Sequence, residues 1–406
     1  MTSRDVAVTG LGLVTPAGIG VETNWTAVCA GRGTGAFDPT LDDLPVRISC
    51  RVPDFDAEAR LGGRLSHRLD RATQFALVAA REAITDAGLD PGSWTRPRVG
   101  VVLGTGHGGV GTFEQEHRAF LDVGVDEVSP LLHPRQLPNM AAGVVAMDCG
   151  AHGPNLVVST ACASGATALG TARDLLLLER CDVVIAGACE APLTPMTIAG
   201  FSRMGALSRR VCDPRHASSP FDVERDGFVA AEGAAILVLE RMDHATARGA
   251  RIRSRLVGYG ATADGHHVTA PEPHGRGLEA AITAALRDAD ADPRDVNHVN
   301  AHGTSTPAND RLEASVMSRV YTGAPLVAST KGVTGHLLGA AGAAEAAYTV
   351  LAVEHAMVPP TANLRQPDPS VTVQIAARST PTKVALAVTH SMGFGGQNAV
   401  LVIAGG

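Results

Sequence analysis

The sequence predicts an α/β fold built by duplication, and three observations carry that expectation. Short apolar runs, Val99 to Leu103, Val183 to Gly187 and Ala234 to Leu239, read as strands buried on both faces, and they alternate with segments of helical spacing. That alternation predicts a mainly parallel sheet. Leu156 to Gly165 can be laid over Leu326 to Gly335, strand on strand and turn on turn, which marks an internal repeat. Finally, 406 residues exceed one ordinary core, so two halves are expected, 1–250 and 251–406, with the seam near Arg248 to Arg253.

In chain order, Arg4 to Gly10 is a short β-rich run and Asn24 to Ala30 reads as helix. Residues 33–65, with scattered Pro, Asp and Arg, read as surface connections. From Asp70, the positions Ala72, Phe75, Ala76, Ala79, Ala80, Ala83 and Ile84 keep helical period until Gly88 supplies a stop. After the strand Val99 to Leu103 comes Gly104-Thr105-Gly106-His107-Gly108-Gly109, which matches a dinucleotide fingerprint and has Asp126 about twenty residues further on. That fingerprint belongs to a first strand–helix unit, whereas here another strand and helix precede it. A nucleotide-binding oxidoreductase is thus an alternative resting on residues 104–109 alone.

The apolar run ending at Val158 turns abruptly into a small-residue helix, and Cys162 sits at the turn. A thiol there feels the positive end of the helix dipole and lies near unpaired N–H groups, an arrangement that favours thiolate and suits a nucleophile. The helix runs on to Leu178, residues 191–220 are loop-rich, and Leu256 to Tyr259 restarts the strand pattern. In the second half His302 follows the apolar run ending at Val299 and Asn300, while Lys331 and His336 lie in the repeat's own strand-end turn. Two imidazoles beside strand-end Gly and Thr clusters are the partners a thiolate chemistry needs.

Composition excludes several classes. The chain is 45% hydrophobic, 18% charged and 3% aromatic with 45 glycines, which describes a packed globular protein and not a disordered one. A net charge of -7 gives no global attraction to nucleic acid. The seven cysteines, at 29, 50, 149, 162, 181, 189 and 212, include no C-x-x-C pair, so neither a disulfide framework nor a zinc site is expected. No apolar run approaches the roughly 20 residues that span a bilayer, and no signal peptide is read at the N-terminus. A cytoplasmic protein, without metal, nucleic acid or membrane partner, is expected.

Four motifs in order, the Cys162 stretch, His302-Gly303-Thr304-Ser305-Thr306, Lys331 to His336 and Gly393-Phe394-Gly395-Gly396, resemble those of the β-ketoacyl-ACP synthases, condensing enzymes of bacterial fatty-acid and type II polyketide synthesis. Pro220 to Phe228 and Pro359 to Leu364 extend the resemblance to essentially the whole chain. It implies a thiolase-like fold, two βαβ halves in five αβαβα layers. It also implies that Cys162 accepts an acyl chain from an acyl carrier protein, with the N–H groups of Cys162 and Phe394 as oxyanion hole. His302 and His336 would stabilise the enolate left when a malonyl-carrier thioester loses CO2. Lys331 and Glu345 would hold the histidines, and Thr304 and Thr306 would bind the pantetheine arm. Met392, Gly395 and His107 would border the substrate. Met392 stands where an aromatic is common and His107 where an aliphatic residue is usual, which implies a shortened or polarised acyl pocket.

The resemblance further implies no tightly bound cofactor, since the phosphopantetheine arm arrives on the carrier protein. The acidic carrier would dock on exposed basic residues, with Arg64, His67, Arg68 and Arg209 as candidates. Members pair as homodimers or with a chain-length-factor subunit. A non-catalytic chain-length subunit is the remaining alternative, opposed by the presence of Cys162, His302 and His336.

Overall fold

The computed structural model describes residues 5–406. Ten main strands form one sheet: β1 (Val6–Thr15), β2 (Val99–Gly104), β3 (Asn155–Val158), β4 (Val183–Glu190), β5 (Gly233–Arg241), β6 (Ser254–Ala263), β7 (His298–Asn300), β8 (Leu326–Ala328), β9 (Leu386–Gly393) and β10 (Gln397–Gly405). The order is β3-β2-β4-β5-β1 and then β6-β10-β9-β7-β8, each strand of the first half answering one of the second. Among the described residues, the two five-strand halves pair with each other where Val6 to Val8 meet Leu256 to Ser254. A joint of three residue pairs leaves each half free to twist on its own.

The helices complete a five-layer stack. α1 (Arg71–Asp86) and α2 (Met140–Cys149) cover the outside of the first half, and α4 (Arg276–Asp288) and α5 (Pro307–Val320) the outside of the second. Between the halves lie α3 (Ser164–Leu177) and α6 (Ala341–His355), packed on each other and on strands of both. α6 is buried from Ala341 through Ala352, as a helix enclosed on all sides must be.

The duplication is written in glycine. A Cβ on Gly10 or Gly12 of β1 would fall 2.1 and 1.9 Å from the carbonyls of Ala83 and Ala79 in α1. In β6 a Cβ on Gly258 or Gly260 would fall 2.3 and 2.2 Å from those of Ala285 and Ala281 in α4. Both helices thus lie directly on strand backbone, which only Gly facing Ala permits.

Two expectations need correction. The sheet is mixed rather than mainly parallel: β2 pairs in parallel with β3 and β4, and β7 with β8 and β9, but β4–β5, β5–β1, β9–β10 and β10–β6 are antiparallel. The Gly393 to Gln397 turn is too short for a parallel crossover, and residues 191–232, a loop-rich return that includes the helix Pro195–Arg203, bring the chain back antiparallel. Residues 33–65 are not merely surface either, since Leu41, Val46, Ile48, Cys50 and Val52 are buried. Their apolar residues are too sparse to announce it. The run read as Arg4 to Gly10 is β1, which continues to Thr15, with Arg4 outside the described residues; the helix read as Asn24 to Ala30 spans Val21–Ala30; and the repeated strands β3 and β8 stand at the two ends of the sheet.

Candidate active site

Cys162 lies between β3 and α3, in a turn tightened by Ser164. The Ser164 hydroxyl accepts the Thr160 N–H (2.9 Å) and donates to the Ala161 carbonyl (2.6 Å), while Ala161 takes a left-handed φ of 49°. The second half presses on this turn: a Cβ on Gly393 would fall 2.3 Å from the Thr160 carbonyl and 3.2 Å from the Cys162 nitrogen. Glycine at 393 therefore lets the β9–β10 loop reach the cysteine. Among the described residues, neither the Cys162 nor the Phe394 N–H has a protein acceptor, apart from the Cys162 amide's contact with its own sulfur.

His302 is held by its backbone. Its N–H and that of Gly303 donate to the two oxygens of Glu313 in α5 (2.7 and 2.8 Å). Glu313 also lies 3.0 Å from His390 Nδ1, and His390 Nε2 lies 2.8 Å from the Tyr321 hydroxyl. This buried network aims the loop after β7 into the cleft. Lys331, buried just after β8, sends its ammonium to the Glu345 carboxylate and to His302 Nδ1 at 3.4 Å. Because an ammonium can only donate, Nδ1 must accept, and the ring's proton stays on Nε2. His336 is fixed by backbone bonds to Val229 and Ala231 (2.8 and 2.9 Å), its ring set edge-to-face against His302 (5.4 Å) and Phe228 (5.3 Å).

Cys162, His302, His336, Thr304, Thr306, Met392 and Phe394 all line one cavity of about 410 Å³, together with Phe201, Phe228, Met204, Asn309 and Leu338. Both histidines are driven well below the ordinary imidazole value, first by burial and then by the Lys331 ammonium, so they are neutral donors. Burial pushes Glu345 up to about 7 against the pull of Lys331. The cysteine departs from the helix-dipole expectation. Burial pushes its thiol up to about 12, Lys331 pulls it down, and Glu190 and Glu345 push it up again. Cys162 therefore rests as a thiol, which must lose its proton as it attacks.

Other predicted residues lie elsewhere. His107 does not line the cavity that holds Cys162; it stands behind Phe201 (6.2 Å between rings), with Nδ1 3.7 Å from the buried Glu190 carboxylate that draws it in. Gly395 is also outside, exposed and tied by its N–H to the Val268 carbonyl (2.8 Å), while its neighbours Gly393 and Gly396 line the wall. Arg209 is exposed near the mouth, its N–H bonded to the cavity residue Asp226 (3.0 Å). Arg64, His67 and Arg68 are exposed next to a separate polar cleft lined by Leu69, Asp70 and Arg71.

The glycine-rich loop at 104–109 is not a nucleotide cradle. Its Gly106 and His107 N–H groups already bind Glu190, and a Cβ on Gly104 would fall 2.5 Å from the Ser164 carbonyl. Among the described residues no cluster of three or more His, Cys, Asp or Glu is placed to hold a metal ion, and no helix is long and apolar enough to cross a membrane. Sequence reasoning missed Glu313, His390 and Tyr321: Glu313 and Tyr321 lie in and just after α5, and His390 comes from the distant strand β9. It also missed Phe201 and Phe228, two aromatics in a chain with few.

Profiles described as the N-terminal and C-terminal domains of beta-ketoacyl synthase match residues 3–245 and 253–365. The chain is 42% identical over 409 residues to the 3-oxoacyl-[acyl-carrier-protein] synthase 2 of Synechocystis sp., covering 99% of this chain and 98% of that one. Among solved structures it superposes on the ishigamide ketosynthase/chain length factor with a TM-score of 0.91, at 32% identity over the full length of both chains. It also superposes on a type II PKS ketosynthase, in complex with its acyl-carrier protein and bound to the hexaketide, with a TM-score of 0.90 at 32% identity over the full length of both.

Proposed function

The chain belongs to the β-ketoacyl synthase family, and from that premise we propose how its own residues carry out a decarboxylative Claisen condensation on carrier-bound thioesters. The observation that carries the reading is the convergence of Cys162, two neutral imidazoles and the Phe394 loop on one cavity.

Cys162 Sγ attacks the carbonyl of an acyl-carrier thioester while its proton passes to the departing pantetheine sulfur. The oxyanion that forms is met by the Cys162 and Phe394 N–H groups. Malonyl-carrier thioester then enters; its carboxylate leaves as CO2 and the electron pair moves onto the thioester oxygen. His302, with its proton on Nε2, and His336 donate to that oxygen. The enolate carbon attacks the acyl-Cys162 carbonyl, the carbon–sulfur bond breaks, and the thiolate takes a proton from water. Lys331, Glu345 and Glu313 hold the histidines and do not touch substrate. Thr304 and Thr306, whose hydroxyls lie 2.9 Å apart on the cavity wall, suit the amide-bearing pantetheine arm.

The same reading includes an acyl carrier protein as partner, no tightly bound cofactor and a cytoplasmic location. It also includes a dimer, identical or with a chain-length factor. Supporting that, β3 is an edge strand with Leu156 exposed, and Met147 in α2 beside it is 71% exposed.

The deciding experiment is mass spectrometry after incubation with a panel of acyl-carrier thioesters. One acyl adduct on Cys162, then β-ketoacyl-carrier once malonyl-carrier is added, is the expected result. No adduct on Cys162 under any acyl group would overturn the assignment. Docking has its own check, because rim charges act mainly on association. Arg209→Glu should raise KM for carrier-bound substrate several-fold and leave a small acyl thioester unaffected; equal loss on both would rule out a docking role.

A further inference from the structure

A buried carboxylate that the reaction does not use lies directly behind the nucleophile. Glu190 ends β4 and is fully buried, and each of its oxygens accepts two hydrogen bonds. Oε2 takes the N–H of Gly106 (2.7 Å) and of Gly339 (3.0 Å); Oε1 takes the Thr105 hydroxyl and the His107 N–H (3.1 Å each). Three of these donors come from the loop after β2, and Gly339 comes from the second half. The carboxylate therefore stitches the halves together at cavity level.

Two glycines are shaped around it, for a Cβ on Gly106 would fall 2.9 Å and one on Gly339 2.4 Å from Oε2. Leu338, just before Gly339, lines the cavity at a left-handed φ of 48°, a conformation leucine holds only when its surroundings impose it. A Cβ on Gly165, in the first turn of α3, would lie 3.2 Å from the Gly339 carbonyl, so the same contact reaches the nucleophile's own helix.

Glu190 also brings a negative charge near Cys162. The charged groups that act on this thiol are Lys331 from the turn after β8, Glu345 from α6 and Glu190 from β4, with the neutral rings of His302 and His336 beside it. Lys331 is already paired with Glu345. Among the described residues the one ion-pair partner of Glu190 is His107, whose Nδ1 is buried without a hydrogen bond although the side chain is 30% exposed. That exposure lets it exchange a proton with solvent.

We propose that Glu190 is a positioning residue for the nucleophile and its wall, and that His107 is the charge partner that offsets Glu190. The proposal rests on Cys162 as nucleophile. Burial pushes the His107 imidazole down and the neighbouring Glu190 more than reverses this, leaving it above the usual histidine value. Protonated His107 then neutralises Glu190, and the Cys162 thiol ionises more readily. When His107 loses its proton, Glu190 again opposes the thiolate.

The test is the rate of iodoacetamide alkylation of Cys162 in the folded full chain, resolved by mass spectrometry across a pH series. Where His107 titrates, the rate should climb less steeply than tenfold per pH unit. His107→Gln should remove that inflection and slow alkylation on its acid side by several-fold to about tenfold, the span of one pKa unit, and His107→Lys should restore the rate. Glu190→Gln should speed alkylation yet slow acyl transfer from carrier, a split that simple destabilisation does not give. Wild-type curves from both His107 variants would overturn the proposal even if Glu190→Gln failed to fold. Alkylation needs no carrier substrate, so this result stands apart from failure of the condensing assignment, which would show as no acyl adduct on the wild-type protein.

Discussion

Cys162→Ala is expected to lower condensation by on the order of 10⁴–10⁶, as loss of a covalent nucleophile does, while decarboxylation of malonyl-carrier thioester continues. The two outcomes separate because they use different atoms. Acyl transfer requires sulfur at the β3–α3 turn, whereas CO2 release requires only that the enolate oxygen find donors: His302 is held by Glu313 and Lys331 from the second half, and His336 by the Val229 and Ala231 backbone from the first. None of these supports passes through the Cys162 side chain. The substitution removes an uncharged sulfur that already faces the cavity, so the fold should be little disturbed. Released CO2 and β-ketoacyl product, measured in parallel, check this. Surviving condensation in the variant would exclude Cys162 as the nucleophile, and loss of both activities in a folded protein would mean that the decarboxylation site includes it.

The fold class was legible in the apolar runs Val99 to Leu103, Val183 to Gly187 and Ala234 to Leu239 and in the repeat at Leu156 and Leu326. The contacts of Gly10 and Gly12 with Ala83 and Ala79, and of Gly258 and Gly260 with Ala285 and Ala281, emerge only in the structure. Strand direction was not legible, because it depends on whether a connection is a tight turn, as at Gly393 to Gln397, or a long return such as 191–232. The site residues were visible as strand-end motifs, since each reactive group follows a strand in a Gly- or Thr-rich turn. What positions them was hidden. Glu313 in α5, His390 in β9 and Tyr321 just after α5 are indistinguishable in sequence from ordinary core, and they meet only after folding. The state of Cys162 was misjudged for a related reason: a turn at a helix start is local, but the burial that keeps the thiol protonated comes from distant segments of both halves, Phe201 and Phe228 as well as His336, Leu338 and Phe394.

His302→Ala and His336→Ala should each lower malonyl decarboxylation by roughly 10²–10³, the loss typical of one oxyanion donor, while Cys162 still becomes acylated. The physical ground is their charge state. Burial and the Lys331 ammonium keep both rings far below the ordinary histidine value, so neither can serve as a cationic acid, and each offers an N–H to a developing negative charge. Lys331 fixes the tautomer of His302 by occupying Nδ1. His336 receives no such help, and its Nδ1 is buried without a partner, so its ring depends on Phe228 and on its backbone bonds for aim. The sign of the pH response follows: groups with lowered pKa values stay neutral as pH rises, so decarboxylation should hold level from about pH 6 to about pH 8 and fall only on acidification that protonates the pair. Rates of CO2 release across that range, set beside acyl loading measured by mass spectrometry, decide the matter. Alanine variants that release CO2 normally but fail to load acyl chains would reverse the assignment and make the histidines bases for the cysteine instead of donors to the enolate.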